Sequence, residues 1–180
     1  MEVKSTPIEG LLIIQPQVFG DERGHFFEPW NKNRFAEHGL TMDFVQDNQS
    51  LSQKGVLRGL HFQKPPFAQG KLVRVIKGAA LDVVVDIRKD SPTYGQHFSI
   101  ELNESNHTMF YVPEGFAHGF LTLENNTIFS YKVTALYHPE AEDGIMWNDP
   151  ALGIDWGISD PQLSGKDRVY KPFREFSSLF

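Results

Sequence analysis

The chain has 180 residues, 40% of them hydrophobic and 22% charged, which fits one soluble domain, 1–180, with a substantial core. It has no cysteine, which excludes disulfides, thiolate nucleophiles and Cys-bound metal and suits a reducing compartment. A net charge of −6 argues against a general nucleic-acid binder, though a locally basic pocket on an acidic protein can still hold an anionic small ligand.

At the N-terminus, Met1-Glu-Val-Lys-Ser-Thr-Pro has no basic segment followed by an apolar run. No stretch approaches the roughly 18 apolar residues of a membrane span. The expectation is therefore a cytoplasmic protein that uses no membrane. Asn31 to His38 is the one segment near the N-terminal end that reads as helix, with Gly39 as its C-cap.

From about residue 56 to residue 137 alternation dominates. In Ala80 to Arg88, Leu81, Val83, Val85 and Ile87 share one face, and Asp82, Asp86 and Arg88 the other. In His97 to Leu102, Phe98, Ile100 and Leu102 oppose His97, Ser99 and Glu101. In Thr127 to Tyr137, Phe129, Tyr131, Val133 and Tyr137 fall on one face. Period-two patterns predict half-buried strands. Turn signals at Lys77-Gly78, Asp90-Ser91-Pro92, Asn103 to Asn106 and Asn125-Asn126 separate them, so an antiparallel sandwich or barrel is expected. The last 40 residues, rich in Pro, Gly and Asp, read as ordered loops with short turns.

Two segments concentrate the chemistry. One is Gly55-Val-Leu-Arg58-Gly-Leu-His61-Phe-Gln63, with Lys71 on the next strand. The other is Tyr111-Val-Pro113-Glu-Gly115-Phe-Ala-His118-Gly-Phe120. Both resemble motifs of the cupin superfamily, a double-stranded jelly-roll barrel. A metal-binding cupin supplies His-x-His and Glu from the first motif and a His from the second. Here Gln63 stands at the second His position, Gln69 and Lys71 occupy the region of the Glu, and an ammonium would repel a cation. With two His remaining, the usual minimum of three ligands is not met, and metal-free acid–base chemistry is expected.

A lone His in a strand is ordinarily a satisfied core residue. Arg58, His61, Lys71, His118 and Tyr131 together on otherwise apolar strands are costly to bury without a ligand, which favours a site. Simple alternation puts Arg58 and His61 on opposite faces, and a bulge at Gly59 would reunite them. Tyr131 and Tyr137 could equally be core tyrosines.

Further segments run in order along the chain: Asp21-x-Arg23-Gly24-x-Phe26-x-Glu28, Gln46-Asp47-Asn48-x-Ser50, Tyr131-Lys-Val-Thr134-x-x-Tyr137-x-Pro-x-x-Glu142, and Leu163-Ser164-x-Lys166-Asp167. Taken with the two motifs above, the chain resembles the dTDP-4-dehydrorhamnose 3,5-epimerases nearly end to end.

The resemblance implies an all-β fold: a cupin-type double-stranded β-helix, or jelly-roll barrel, with short peripheral helices and extra N-terminal strands. It implies no cofactor. The implied substrate is dTDP-4-dehydro-6-deoxy-D-glucose, a dTDP-4-keto-6-deoxyhexose inverted at C3 and C5. On this resemblance His61 is the base, Asp167 its partner, Tyr131 the acid on the opposite face, and Lys71 the group near the ketone oxygen. Arg23 and Arg58 match contacts to diphosphate and sugar. Glu28, Gln46, Asp47 and Asn48 match positions around the nucleotide, and Phe26 counts among the substrate-binding positions. Tyr137 matches a tyrosine that stacks on the sugar, Glu142 and Lys166 match further contacts, and His118 lines the pocket. The N-terminal segment of the family reaches the neighbouring subunit, which implies a homodimer. A relative acting at C3 or C5 alone, a non-catalytic sugar-nucleotide-binding cupin, and a ketoisomerase or dehydratase are the competing readings.

Overall fold

The computed structural model describes residues 1–180. In chain order its strands are β1 (Glu2–Ser5), β2 (Leu12–Gln15), β3 (Phe19–Asp21), β4 (Gly24–Phe26), β5 (Gln46–Ser52), β6 (Leu57–Gln63), β7 (Lys71–Lys77), β8 (Ala79–Asp86), β9 (His97–Asn103), β10 (Met109–Val112), β11 (Phe116–Thr122), β12 (Thr127–Val133) and β13 (Glu142–Gly144). One helix, α1 (Lys32–Ala36), lies between β4 and β5, and a 3-10 turn covers Phe173–Glu175. The sheets are antiparallel. One has the order β1-β2-β10-β7-β12-β5, the second β13-β6-β11-β8-β9, and β3-β4 stands apart as a hairpin.

The central core is built from the facing sides of the two large sheets. Val73, Val75, Phe110 and Phe129 come from the six-stranded sheet and Ala80, Val84, Leu102 and Phe120 from the five-stranded one. Phe120 and Phe129 stack across the interior at 3.9 Å between ring centres. This is the jelly-roll arrangement expected from the alternation, in which each strand gives every second side chain to the interior.

The expectation of half-buried strands is corrected in β8. Leu81 apart, every residue of β8 is buried. Its Val83 and Val85, with Leu57, Leu60 and Leu121, form a second core on the outer side of the five-stranded sheet, closed by Ile145, Leu152 and Trp156. The loop-rich C-terminal segment is thus a cover for that sheet. A third cluster packs Phe35 and Leu40 onto Ile14, Leu72 and Met109 on the outer side of the six-stranded sheet.

The helix is shorter than the predicted 31–38. Asn31 caps it by accepting from the Asn33 and Arg34 amides. The amides of Gly39 and Leu40 close it onto Ala36 and Phe35, with Gly39 at φ +78°, a Schellman ending that needs the left-handed conformation glycine supplies. Tyr137 is also corrected. Strand β12 ends at Val133, so Tyr137 belongs to the following loop and not to the face of Phe129 and Tyr131.

Where β6 meets β11, His61 pairs with His118 and Arg58 with Phe120. Three steps on β6 therefore match two on β11, and the extra residue brings Arg58 and His61 to the same side, as the proposed bulge at Gly59 requires. Gly59 has φ +150°, and a Cβ there would lie 2.6 Å from the Gly119 Cα, so the two glycines permit this close approach.

Candidate active site

The inward side chains meet in an open cavity of about 380 Å³ at one end of the barrel. From the five-stranded sheet β6 contributes Arg58, His61 and Gln63, β11 contributes His118 and Phe120, and β13 contributes Glu142. From the six-stranded sheet come Gln46, Asn48 and Ser50 on β5, Lys71 on β7 and Tyr131 on β12. His61 and Tyr131 therefore stand on different sheets with the cavity as their common space.

His61 Nε2 is 2.5 Å from Asp167 Oδ1. The second oxygen of Asp167 accepts from Ser164 Oγ at 2.8 Å, and the Asp167 amide donates back to that hydroxyl. Asp167 is buried. Its burial favours protonation, but the His61 hydrogen bond and charge, with Ser164 and Lys166, hold its pKa below the usual carboxylate value. Burial pulls the His61 pKa below that of a free imidazole, against the opposing pull of Asp167. The outcome is a neutral imidazole near pH 7, oriented by a carboxylate: the state a base needs. Tyr170 meets the ring edge-on at 5.7 Å.

Lys71 is buried, and its Nζ has a single long contact, 3.5 Å to the His61 carbonyl. Burial lowers its pKa to about 8, with Asp82 and Glu142 acting in the opposite direction. An ammonium with donors to spare in the lining of a cavity can stabilise negative charge developing on a ligand oxygen. Burial raises the Tyr131 pKa while the Arg58 guanidinium opposes that rise, so the phenol stays protonated and able to donate.

His118 is buried, and its Nε2 faces both carboxylate oxygens of Asp82, at 3.0 and 2.8 Å. It lines the cavity, with that ring nitrogen committed to Asp82. Glu142 bridges Tyr137 and Lys166: Oε2 accepts from the tyrosine hydroxyl at 2.9 Å and Oε1 from Lys166 at 2.5 Å. Burial pushes the Glu142 pKa up, and those two hydrogen bonds together with the charges of Lys166 and His61 outweigh it.

Four predicted contacts lie elsewhere. Asp47 does not line the cavity: β5 alternates, so Gln46, Asn48 and Ser50 are turned inward while Asp47 is exposed, where it pairs with Lys132 of the neighbouring strand at 2.7 Å. Arg23, Phe26 and Glu28 do not line the cavity of their own chain. Arg23 sits on the β3–β4 hairpin in an exposed ion pair with Asp21, Phe26 is 66% exposed, and Glu28 pairs with Arg34. Gln63 is buried and, although it takes the place of a metal ligand, it is spent on backbone groups of two loops. Ser164 and Tyr170 were absent from the sequence-based set. The Ser164-x-x-Asp167 spacing, a serine-turn signature, was the one available signal for the first. Nothing pointed to the second.

A jelly-roll barrel with an imidazole–carboxylate pair, a phenol and a buried ammonium around one cavity places the chain among the cupin-fold proteins. Residues 5–175 match the family model for dTDP-4-dehydrorhamnose 3,5-epimerase. A protein of that name from Methanothermobacter thermautotrophicus is 53% identical over 173 residues, 94% of this chain and 93% of its own. A crystal structure of dTDP-6-deoxy-D-glucose-3,5-epimerase from Legionella pneumophila in complex with dTDP-4-keto-L-rhamnose superposes with a TM-score of 0.94 at 48% identity, covering 98% and 94% of the two chains. A more distant likeness, TM-score 0.87 and 32% identity over 93% of this chain and 85% of its own, is to a 3'-monoepimerase from Streptomyces bikiniensis in complex with dTDP-quinovose. The chain belongs to the dTDP-4-dehydrorhamnose 3,5-epimerase family and is an epimerase.

Proposed function

We propose that this epimerase inverts C3 and C5 of dTDP-4-dehydro-6-deoxy-D-glucose, in dTDP-rhamnose synthesis, by proton transfer between His61 and Tyr131. The observation that carries the residue roles is the 2.5 Å bond between His61, on the five-stranded sheet, and Asp167, with Tyr131 and Lys71 on neighbouring strands of the six-stranded sheet lining the same cavity. Both carbons flank a ketone, so each C–H is acidic once the enolate oxygen is stabilised. His61 removes the proton from one face of the sugar, Lys71 holds the developing oxyanion, and Tyr131 returns a proton to the other face. Configuration inverts because removal and return use opposite faces.

Arg58 supplies a guanidinium suited to diphosphate oxygens, Gln46 and Asn48 supply polar contacts beside it, and Tyr137 stacks on the sugar near Glu142 and Lys166. The reading is of metal-free catalysis: Lys71 brings a cation to the place where a cupin carboxylate would stand, and Gln63 already has its amide group occupied. It is also of a cytoplasmic, single-domain protein (1–180). No helix is long and apolar enough to cross a membrane. The exposed β3–β4 hairpin, with Arg23 and Phe26, and the adjacent Glu28 serve the neighbouring site of a homodimer.

The deciding experiment is proton NMR of the dTDP-4-keto sugar with the protein in deuterated water. Deuterium is expected at both C3 and C5 of the product. Label at one carbon alone would assign a single-site reaction, the activity named for the Streptomyces relative, and label at neither would overturn the reading.

A further inference from the structure

We infer that Gln46, Gln63 and Gln69 act together as a clamp that positions Tyr137 over the cavity. This assigns a positioning role to three glutamines and rests on the reading of Tyr137 as a substrate contact.

The loop after β12 has little apolar anchorage at its tip: Leu136 is 57% exposed and Tyr137 50%. Burial does not fix it. Four successive residues are instead held by glutamine amides. Gln69 Nε2 donates to the Ala135 carbonyl at 2.8 Å. Gln63 Nε2 donates to the Leu136 carbonyl at 3.1 Å. The Tyr137 amide donates to Gln46 Oε1 at 2.9 Å, and the His138 amide to Gln63 Oε1 at 2.8 Å. Gln63 also donates to the Phe67 carbonyl at 2.7 Å, and the Phe67 ring stacks on His138 at 3.8 Å.

The glutamines come from β5, from β6 and from the segment before β7, and all three line the cavity. Glutamine suits this task because one side chain both donates and accepts, so it can hold a carbonyl and an amide of an irregular loop that has no sheet partner. Gln63 is 4% exposed, and its two N–H groups and its oxygen all have partners. A carboxylate there would face two carbonyls, and an aliphatic side chain would leave loop groups unpaired. With the loop fixed from beneath, the Tyr137 hydroxyl meets Glu142 at 2.9 Å, so the ring is ordered before a ligand arrives and less ordering remains for binding.

The test combines amide hydrogen exchange by NMR with a double-mutant cycle in the intact protein. Gln63→Leu is expected to speed exchange of the Tyr137 and His138 amides and to lower kcat/KM by about tenfold, the size of a lost positioning contact. In a Tyr137→Ala background the same substitution is expected to change kcat/KM by less than about twofold, because the group it positions is gone. A merely structural role would give the same loss in both backgrounds, and that outcome, or wild-type exchange of both amides, overturns the clamp. Should Gln63→Leu not fold, Gln69→Leu removes a single loop contact and carries the same two measurements. Absence of epimerisation by the unaltered protein would sink the proposed function instead, and the amide exchange would still decide the clamp.

Discussion

Asp167 Oδ1 and His61 Nε2 lie 2.5 Å apart although 106 residues separate them in the chain. His61 sits on β6 and Asp167 in the C-terminal cover, so the segment that seals the outer core also reaches the cavity. Substituting His61→Ala is expected to reduce solvent-proton exchange at both carbons by at least about 10²-fold, the usual contribution of a positioned base, with nucleotide affinity retained. Asp167→Asn keeps the shape but removes the charge that favours protonation of His61, and is expected to cost about 10- to 100-fold. Full activity in the alanine variant would remove His61 from the mechanism. Affinity is checked by calorimetry with dTDP.

On the proposed mechanism, Tyr131 separates two events that an epimerase normally couples. In Tyr131→Phe the base remains, so protons are still removed and exchanged with solvent, but delivery from the opposite face is lost. The expected result in deuterated water is continued labelling of recovered substrate with product formation reduced by about 10²-fold or more. The substitution deletes one hydroxyl, and the change in stability should stay within about 1 kcal/mol. Equal product formation by the two proteins would take the acid role from this residue.

Strands β8, β9 and β12 were legible because one phase of each is apolar and a single register satisfies it. The strand β5, Gln46-Asp-Asn-Gln-Ser, has no apolar phase over those residues, and for that reason the inward Asn48 and the outward Asp47 could not be told apart. The bulge was legible because Gly59 interrupts a pattern that otherwise puts Arg58 and His61 on opposite faces. The C-terminal cover was not. Leu152, Trp156 and Phe173 are irregularly spaced and carry no period to read. Nor was the clamp on the 135–138 loop, since a side chain bonded to a distant backbone group leaves no local trace in the chain.

Lys71 sets catalysis against stability. Its pKa is about 8 in the folded chain against an ordinary value of 10.5, so between those pH values the unfolded chain binds more protons than the folded one. Stability contributed by this group therefore rises with pH across that window and is lost again as pH falls through 8. The difference corresponds to about 3 kcal/mol. Lys71→Met is expected to abolish turnover and to raise the unfolding midpoint at pH 7 by about 6–12 °C, a gain that shrinks toward pH 10. Catalysis runs the other way. The kcat/KM of the unaltered protein should rise with pH as His61 loses its proton below its ordinary pKa, and fall above about pH 8 as Lys71 becomes neutral. Asp167→Asn should move the acid limb to lower pH, since Asp167 raises the His61 pKa. A midpoint that drops in Lys71→Met would show that the buried ammonium contributes to the fold and does not oppose it.

The β3–β4 hairpin makes a prediction about assembly. Arg23 and Phe26 are exposed and outside their own cavity, so if they serve a neighbouring site the two halves of an active site can be supplied by different chains. Arg23→Ala, lacking a diphosphate contact, should raise KM about tenfold or more. His61→Ala should be inactive. Co-refolding the two variants places an intact His61 in one chain opposite an intact Arg23 hairpin from the other, and that hybrid site should show wild-type KM. Recovery of a wild-type KM in the mixture, in a species of twice the chain mass by sedimentation, is the expected outcome. A mixture that keeps the raised KM of Arg23→Ala would mean that each chain completes its own site.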